Sequence, residues 1–375
     1  MAKLNILADA HIPYLQGVAE QFGEVEYLPG NQFTEGSIKD KDVLIVRTVT
    51  HFGEEILNGS SVKLICSATI GYDHIDTAYC DARQIAWRAA PGCNADSVEQ
   101  YLTASLLYLA RKYRIDLKDK TIGIVGVGNV GSRVDKACRK LGMRTLLNDP
   151  PRAEKEGKGA FVDLDRVLRE ADIITLHTPL TKSGLYKTHH LADGAFFDGL
   201  GKKPILINAC RGGVVDNEAW ARAIKAGKIL GSVIDCWEGE PHIHPELLRL
   251  VDIATPHVAG YSADGKWTAT KMSLENINEF FGIGIAPIEL LPIHKPDNPL
   301  IDLKGISAGE QLAAAVRATY NPEKETIVLK ENPDKFYYFR SNYPLRREYK
   351  AYRVKNADPS VAEILRKLGF GEIEN

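Results

Sequence analysis

Three features are missing from this 375-residue sequence: a long apolar run, a strong net charge and a regular cysteine framework. No stretch approaches the roughly 18 apolar residues that span a bilayer, and Asp9 interrupts the first apolar run too early for a secretory signal. Lys and Arg number 47 against 49 Asp and Glu, so the formal charge of −2 argues against the basic surface of a nucleic-acid-binding protein. We therefore expect a cytoplasmic protein with neither a membrane nor a nucleic acid as partner.

The six cysteines are scattered along the chain and include no C-x-x-C pair: Cys66, Cys80, Cys93, Cys138, Cys210 and Cys236. Small secreted domains space their cysteines regularly to form disulfides, so we interpret these residues as buried free thiols. His242 and His244 have a spacing that suits a metal ion, but no clear third ligand accompanies them. A solvent-exposed loop explains this pair more simply, and the sequence predicts no metal site.

Length and patterning indicate an α/β protein of two to three domains. The chain is 44% hydrophobic and 26% charged, which is typical of globular proteins. Short apolar runs at 4–8, 43–46 and 64–66 predict parallel strands of a small α/β unit. After a long helix that begins near Asp96, six further runs predict a doubly wound parallel sheet: 122–125, 145–147, 173–176, 205–207, 233–234 and 253–254.

The strongest local motif is the glycine-rich segment 126–131 (GVGNVG), between a predicted strand and a predicted helix. Glycines at this spacing allow a tight turn, the approach of a pyrophosphate to the backbone and close packing of helix on strand. Asp149 follows the next predicted strand, where a carboxylate accepts hydrogen bonds from a ribose and repels a 2′-phosphate. The motif predicts NAD rather than NADP as cofactor, despite Arg152 nearby. An ordinary α/β turn is the alternative.

Three polar residues follow successive predicted strands: Arg211, Glu240 and His257. Because the carboxyl ends of parallel strands meet at one edge of a sheet, we expect these side chains to converge. Arg211 can hold a carboxylate through a bidentate pair, and His257 can take a proton from a hydroxyl while Glu240 orients it. In isolation each has a simpler explanation, as a loop arginine, a surface-turn glutamate or a structural histidine.

Together with the glycine-rich segment, the segments INACRGG (207–213), DCWEGEP (235–241) and PHVAGY (256–261) resemble the D-isomer-specific 2-hydroxyacid dehydrogenases. The resemblance covers about residues 1–285. It implies a doubly wound, Rossmann-type NAD-binding domain over 94–258, inserted into a smaller flavodoxin-like α/β substrate-binding domain made of 1–93 and 259–285. It also implies that Arg211, Glu240 and His257 are the catalytic residues.

Further segments resemble one branch of that family, whose substrate is a phosphorylated four-carbon hydroxy acid of vitamin B6 synthesis: 46–50, 68–76, 90–94, 148–152, 186–193 and 342–348. This narrower resemblance implies that residues 286–375 form a small α+β dimerisation domain and that the protein is a homodimer. Thr48 stands where serine is common in the branch, and Ile70 and Tyr72 replace smaller residues. The pocket next to Thr48 is therefore expected to differ in shape.

The resemblance also implies two sets of binding residues. Substrate contacts are expected from Thr48, Thr69 and Tyr261. Cofactor contacts are expected from a larger set: Gly126, Gly128, Asn129, Val130, Gly131, Asp149, Thr178, Ala209, Cys210, Arg211, Asp235 and Gly260. A substrate phosphate requires further cations or hydroxyls, for which Arg47 and the Arg346–Arg347 pair are candidates. The sequence leaves two alternatives open: a phosphoglycerate- or hydroxypyruvate-type dehydrogenase, and a non-catalytic dinucleotide-sensing protein.

Overall fold

The structure, a computed structural model, describes residues 3–374, apart from the side chain of Lys158. The chain forms two compact units. The first consists of the residues up to Asn94 together with Ser262–His294, and the second of Ala95–Tyr261 together with the residues from Lys295 onward. The chain thus passes between units one residue after the first predicted boundary and three residues after the second.

The strands alternate with helices through most of the chain. Within the described residues they are β1 (Leu4–Asp9), β2 (Gly23–Leu28), β3 (Val43–Val46), β4 (Leu64–Ser67), β5 (Ala86–Arg88), β6 (Thr121–Val125), β7 (Arg144–Asn148), β8 (Ile173–Leu176), β9 (Ile205–Asn208), β10 (Gly231–Ile234), β11 (Ile253–Ala254), β12 (Leu300–Asp302), β13 (Arg353–Lys355) and β14 (Ile373–Glu374). All six strands predicted between residues 122 and 254 are confirmed, with ends that agree within two residues.

The α-helices of the described residues are α1 (Glu35–Ile38), α2 (Glu54–Leu57), α3 (Thr77–Ala82), α4 (Ala95–Tyr113), α5 (Asn129–Lys140), α6 (Pro150–Glu156), α7 (Leu164–Glu170), α8 (Gly194–Asp198), α9 (Asn217–Lys225), α10 (Pro245–Leu250), α11 (Ala263–Phe281), α12 (Ala308–Thr319), α13 (Pro322–Glu331), α14 (Phe336–Ser341) and α15 (Pro359–Leu368). In the part of the chain that the structure describes, no helix combines the length and apolar character needed to cross a bilayer.

The first unit contains a five-stranded parallel sheet in the order β2-β1-β3-β4-β5. This is the flavodoxin-like order that the resemblance predicts. Strand β3 is buried on both faces because its side chains alternate between two cores: Val43 and Ile45 pack in one cluster, and Leu44 and Val46 in another. Helix α11 returns to this unit and covers the first of these clusters with Leu274 and its neighbours.

The second unit contains a six-stranded parallel sheet in the order β11-β10-β9-β8-β6-β7. The chain moves from β6 outward to β7 and then returns to the other side of β6 with β8. Such a reversal opens a crevice at the carboxyl ends of the strands, where doubly wound sheets bind dinucleotides. The predicted doubly wound sheet is therefore confirmed.

Residues beyond Lys295 add a three-stranded parallel sheet in the order β12-β13-β14 and helices α12 to α15. The sequence predicts a separate domain over 286–375, but this segment joins the second unit from Lys295 onward. The physical reason is a shared core: Val316 and Tyr320 lie in one hydrophobic cluster with Tyr101 and Leu102 of α4. The rings of Tyr101 and Tyr320 are 5.6 Å apart between centroids.

Candidate active site

The loop after β9 carries Arg211 and is held by the buried side chain of Asn208. The amide nitrogen of Asn208 donates to the carbonyl oxygens of Arg211 (3.1 Å) and of Cys236 (3.2 Å), which lies after β10. Gly212 is required in this loop because a Cβ there would lie 2.0 Å from the carbonyl oxygen of Trp237. The loops after β9 and β10 therefore pack backbone against backbone.

Asp235, at the end of β10, braces the turn after β11. One of its carboxylate oxygens accepts the N–H of Val258 and the hydroxyl of Thr255, both at 2.7 Å, and the other accepts the N–H of Ala259 at 3.0 Å. Burial raises the pKa of Asp235, and these donors partly offset that effect. In this turn His257 has a φ of +58°, which is uncommon for a residue with a side chain. The brace sustains that conformation and sets the direction of the imidazole.

The structure brings Glu240 and His257 together, as the sequence predicts. Nδ1 of His257 lies 2.9 Å from Oε2 of Glu240 and 3.2 Å from Oε1, and Oε1 also accepts the backbone N–H of Trp237 at 2.8 Å. Burial alone would raise the pKa of Glu240, but the charge and hydrogen bond of His257, the charge of Arg340 and this N–H hold it below its usual value. With Nδ1 occupied, Nε2 of the imidazole is the atom that can exchange a proton with a substrate.

Arg340 contacts this pair from helix α14, and sequence analysis misses it. Its Nη1 lies 3.3 Å from Oε2 of Glu240, and its guanidinium interacts with the side chain of Tyr261. Arg340 lies 100 residues beyond Glu240, in the aromatic segment FYYFRS. That segment resembles core sequence and carries no catalytic motif, so only the tertiary structure identifies Arg340 as a neighbour of the site.

The glycine-rich loop between β6 and α5 has the shape of a phosphate cradle. Gly126 has a φ of +87°, and a Cβ there would lie 2.7 Å from the backbone of His177. A Cβ at Gly131 would lie 2.0 Å from the carbonyl oxygen of Gly126. At Gly128, which caps the N-terminus of α5, a Cβ would meet no atom of the described residues within 4 Å. The loop thus leaves open space against a helix N-terminus, where a pyrophosphate is favoured.

Asp149 and Thr178 both follow this cradle in sequence. Asp149 caps α6, and its carboxylate accepts the N–H groups of Val127 (2.8 Å) and Arg152 (3.1 Å). The guanidinium of Arg152 is paired with Glu156 through two contacts of 2.7 Å. The hydroxyl of Thr178 is buried and interacts with the thiol of Cys210.

The remaining predicted cofactor residues lie at the same strand ends of the second unit. Asn129 and Val130 begin α5, Ala209 and Cys210 follow β9, and Gly260 lies in the turn after β11. Burial raises the pKa of the Cys210 thiol, so this thiol stays neutral and is a poor nucleophile. All six cysteines are free, and all are buried except Cys93, which is half-buried. The contacts of these residues with NAD stay predictions.

Thr48 and Thr69 follow neighbouring strands, β3 and β4, in the first unit. Thr48 is exposed, whereas the hydroxyl of Thr69 donates to the carbonyl oxygen of Gly71 at 2.9 Å. Arg47 is already paired with the buried Asp9, through contacts of 2.8 and 3.2 Å. The two threonines lie at the carboxyl ends of parallel strands, where α/β sheets bind ligands. Their contact with a substrate stays a prediction.

Arg346 is wrong as a candidate for the substrate phosphate, because its guanidinium is buried and fully used. It donates to the carbonyl oxygens of Ser97 (3.1 Å), Val258 (3.0 Å) and Tyr261 (3.2 Å), and it lies 4.3 Å from the ring centroid of Tyr320. An arginine in a basic, tyrosine-rich segment looks exposed in sequence, whereas the fold places it behind the turn after β11. Its charge therefore holds that turn in place.

The sequence predicts a loop for His242 and His244, and His244 has a structural role there. His244 caps α10: its Nδ1 accepts the N–H of Leu247 at 3.1 Å, and its Nε2 lies 2.9 Å from Oε1 of Glu218. Both ring nitrogens of His244 are thus engaged within the protein. The predicted loop therefore ends at His244, the N-cap residue of α10.

Comparison with known proteins places this site in a family. Residues 97–259 match the family model described as D-isomer specific 2-hydroxyacid dehydrogenase, NAD binding domain, and residues 291–369 match a domain of unknown function, DUF3410. A protein of Bacteroides thetaiotaomicron named erythronate-4-phosphate dehydrogenase is 49% identical over 352 residues, which cover 94% of this chain and 99% of the relative. A protein of Porphyromonas gingivalis with the same name is 43% identical over 368 residues, covering 98% and 100%.

Solved structures agree with this placement. The 3-phosphoglycerate dehydrogenase of Entamoeba histolytica with bound NAD+ aligns with a TM-score of 0.65 and 25% identity, covering 78% of this chain and 100% of that one. The D-lactate dehydrogenase of Aquifex aeolicus with NAD and lactic acid aligns with a TM-score of 0.62 and 25% identity, covering 74% and 95%. The fold and the site define an NAD-dependent D-2-hydroxyacid dehydrogenase. Within that class, the chain belongs to the erythronate-4-phosphate dehydrogenase family. Membership in this family favours the predicted activity over both alternatives.

Proposed function

We propose that the protein oxidises 4-phospho-D-erythronate to 2-oxo-3-hydroxy-4-phosphobutanoate, with NAD+ as hydride acceptor, in the synthesis of pyridoxal 5′-phosphate. The observation that carries the proposal is the Glu240–His257 pair, with Nδ1 and Oε2 at 2.9 Å. The loop of Glu240 packs against the loop of Arg211. The relatives that share nearly the full length of this chain carry the name of that activity.

Charge placement supports a simple mechanism. The guanidinium of Arg211 is planar and always charged, so it can bind the C1 carboxylate of the substrate through a forked pair. Nε2 of His257 takes the proton of the C2 hydroxyl, and Glu240 stabilises the resulting imidazolium through Nδ1. When bound, NAD+ accepts the hydride that leaves C2. The C2–O bond becomes a carbonyl as the proton and the hydride depart.

In this proposal Thr48, Thr69 and Tyr261 bind the rest of the substrate. Asp149 accepts hydrogen bonds from the adenosine ribose, and Thr178 and Asp235 lie with the cofactor. The support is chemical: Asp149 directly follows β7, and its carboxylate accepts the N–H of Val127 in the glycine-rich loop.

A substrate comparison tests the proposed function. We would measure product formation from 4-phospho-D-erythronate, 3-phospho-D-glycerate and D-lactate, detecting both NADH and the 2-oxo acid, with and without an added 2-oxo acid acceptor. The proposal expects a clear preference for the four-carbon phosphate. Preference for 3-phosphoglycerate would replace the substrate but keep the reaction class. Absence of turnover with all three, in protein that binds NAD, would reject the catalytic function.

We further propose that the protein is a cytoplasmic homodimer joined through residues 286–375. Exposed apolar side chains on α13 and α14 support this, since Ile327 and Tyr337 are 51% and 62% exposed. Large apolar side chains left in water favour association. Light scattering on the eluting protein tests the oligomer, with Ile327→Glu as the disrupting variant. A monomer at micromolar concentration, or a dimer that this variant leaves intact, would contradict the proposed interface. Cell fractionation tests the location.

A further inference from the structure

Arg340 stands out because it comes from the C-terminal segment that matches a domain of unknown function, yet its guanidinium contacts the catalytic pair. Its Nη1 is 3.3 Å from Oε2 of Glu240, the same oxygen that Nδ1 of His257 approaches at 2.9 Å. Arg340 also interacts with the side chain of Tyr261, four residues after His257. One cation therefore touches both the orienting carboxylate and a predicted substrate residue.

The carboxylate of Glu240 is surrounded by donors from three different elements. His257 approaches from the turn after β11, Arg340 from α14, and the N–H of Trp237 from the loop after β10 at 2.8 Å. Only 16% of the Glu240 side chain is exposed, so water does little to solvate it. A buried carboxylate needs such donors to stay ionised.

Two other ionisable groups lie near the pair. Asp235 acts on His257 electrostatically, but its oxygens are engaged by the turn after β11. Burial raises the pKa of Cys236 far above its usual value, so this thiol is neutral. Among these neighbours, Arg340 is the cation that shares an oxygen of Glu240 with His257.

We propose that Arg340 is a positioning residue that holds Glu240 against His257 and sets the pH at which the Glu240–His257 pair takes up its proton. This inference rests on the proposed function, in which His257 exchanges the proton of the C2 hydroxyl. It gives the C-terminal segment a part in catalysis in addition to any role in association.

The direction of the effect follows from charge. Arg340 places a positive charge next to the same oxygen of Glu240 that stabilises the imidazolium. It therefore weakens the electrostatic attraction by which Glu240 favours the protonated form of His257. Without Arg340, the negative charge of Glu240 acts on His257 alone, and the pair retains its proton to higher pH. Oxidation requires a neutral imidazole, so the acidic limb of the pH profile would move upward.

The test compares the pH dependence of kcat/KM for the wild type, Arg340→Met and Arg340→Lys in the full-length protein with NAD+. We expect the acidic limb to move upward by about one pH unit in Arg340→Met, and the lysine variant to restore most of the shift. Ring 15N shifts of histidine in the free protein, with the His257 signal assigned by His257→Gln, give a second readout that does not depend on turnover.

Lys335→Met is the matched control, because Lys335 is an exposed cation one residue before α14. It removes the same charge from the same segment and should leave the limb unmoved. An unmoved limb and unmoved ring signals in Arg340→Met would overturn the proposal. So would a rise in KM for the phosphorylated substrate with an unshifted limb, which would make Arg340 a substrate ligand instead. If Arg340→Met fails to fold, Arg340→Gln carries the same comparison.

Failure of the proposed function is separable from failure of this inference. Full activity in His257→Gln would reject the role of His257 whatever Arg340 does. Loss of activity in His257→Gln together with an unshifted limb in Arg340→Met would reject the role of Arg340 alone.

Discussion

The two edges of the same six-stranded sheet, β6–β7 and β10–β11, build their loops differently. At the ends of β6 and β7, glycines leave space at a helix N-terminus: a Cβ at Gly128 would meet no atom of the described chain within 4 Å, and Gly126 adopts a φ of +87°. At the ends of β10 and β11, side chains fill the space, and Asp235 and Arg346 brace one turn from opposite sides. The loops after β6 and β7, the cofactor half of the site, thus depend on empty volume. The loops after β10 and β11, the catalytic half, depend on closely packed side chains whose charges are paired.

Replacing His257 should produce the largest effect, and this effect should be confined to the catalytic half of the site. We expect His257→Gln to lower kcat by about a thousandfold, since general-base catalysis contributes roughly that much. NAD+ affinity, measured by calorimetry, should change little because the glycine-rich loop is untouched. The control is His244→Gln, which alters a helix cap and should keep the wild-type kcat. Equal losses of kcat and NAD+ affinity would contradict the separation of the two halves.

Replacing Arg346 should destabilise the turn that carries His257. In Arg346→Met, the carbonyl oxygens of Ser97, Val258 and Tyr261 lose a buried charged donor. We expect the free energy of unfolding in urea to fall by about 3 kcal/mol. Lys324→Met, an exposed change on α13, should cost much less. Equal shifts in the two variants would show that Arg346 does not brace the turn.

Alanine substitutions at Gly131 and Gly128 should separate an effect on stability from an effect on cofactor binding. A methyl group at Gly131 would meet the carbonyl oxygen of Gly126 at 2.0 Å, so Gly131→Ala should lower the free energy of unfolding by roughly 1–3 kcal/mol. A methyl group at Gly128 meets no atom of the described residues within 4 Å, so Gly128→Ala should melt like the wild type but bind NAD+ about tenfold more weakly. Thermal melts and calorimetry on both proteins check this. Unchanged NAD+ affinity in Gly128→Ala would mean that the cofactor does not use this space.

Replacing Glu156 should have the smallest effect, a change in the preference between NAD+ and NADP+. It occupies the guanidinium of Arg152, whose backbone N–H binds the carboxylate of Asp149. This guanidinium also donates to the carbonyl oxygen of Val127. Glu156→Gln removes the opposite charge and makes the guanidinium more attractive to a 2′-phosphate, so the ratio of NADP+ to NAD+ affinity should rise about fivefold, the modest scale of an exposed ion pair. Glu170→Gln removes a comparable exposed carboxylate, paired with Arg144 and Arg166, and should leave the ratio unchanged. A fall in the ratio for Glu156→Gln would contradict this assignment.

Sequence reasoning succeeds where function depends on local pattern. The glycine-rich segment specifies its own strand, turn and helix, because each glycine answers a nearby steric demand. Arg211, Glu240 and His257 can be found in the sequence because each follows an apolar strand, and parallel strands bring their ends together. Strand order in both sheets agrees with the resemblance for the same reason, since short crossovers restrict the topology.

Sequence reasoning fails where function depends on distant packing. Arg346 resembles an exposed phosphate ligand in sequence, but Tyr320 and the turn after β11 enclose it. Arg340 carries no signal because its partner Glu240 is 100 residues away. The sequence also gives no sign that the C-terminal segment shares a core with the NAD-binding domain, where apolar side chains of α12 pack beside α4.

The amino-acid sequence alone therefore determined the six strands of the second unit's large sheet, the cofactor loop and the three residues predicted to be catalytic, since periodicity, glycine spacing and strand ends are local properties. Only the tertiary structure decided which charges are paired. The burial of a guanidinium and the sharing of one Glu240 oxygen by His257 and Arg340 arise where segments far apart in sequence meet, and no local pattern encodes that meeting.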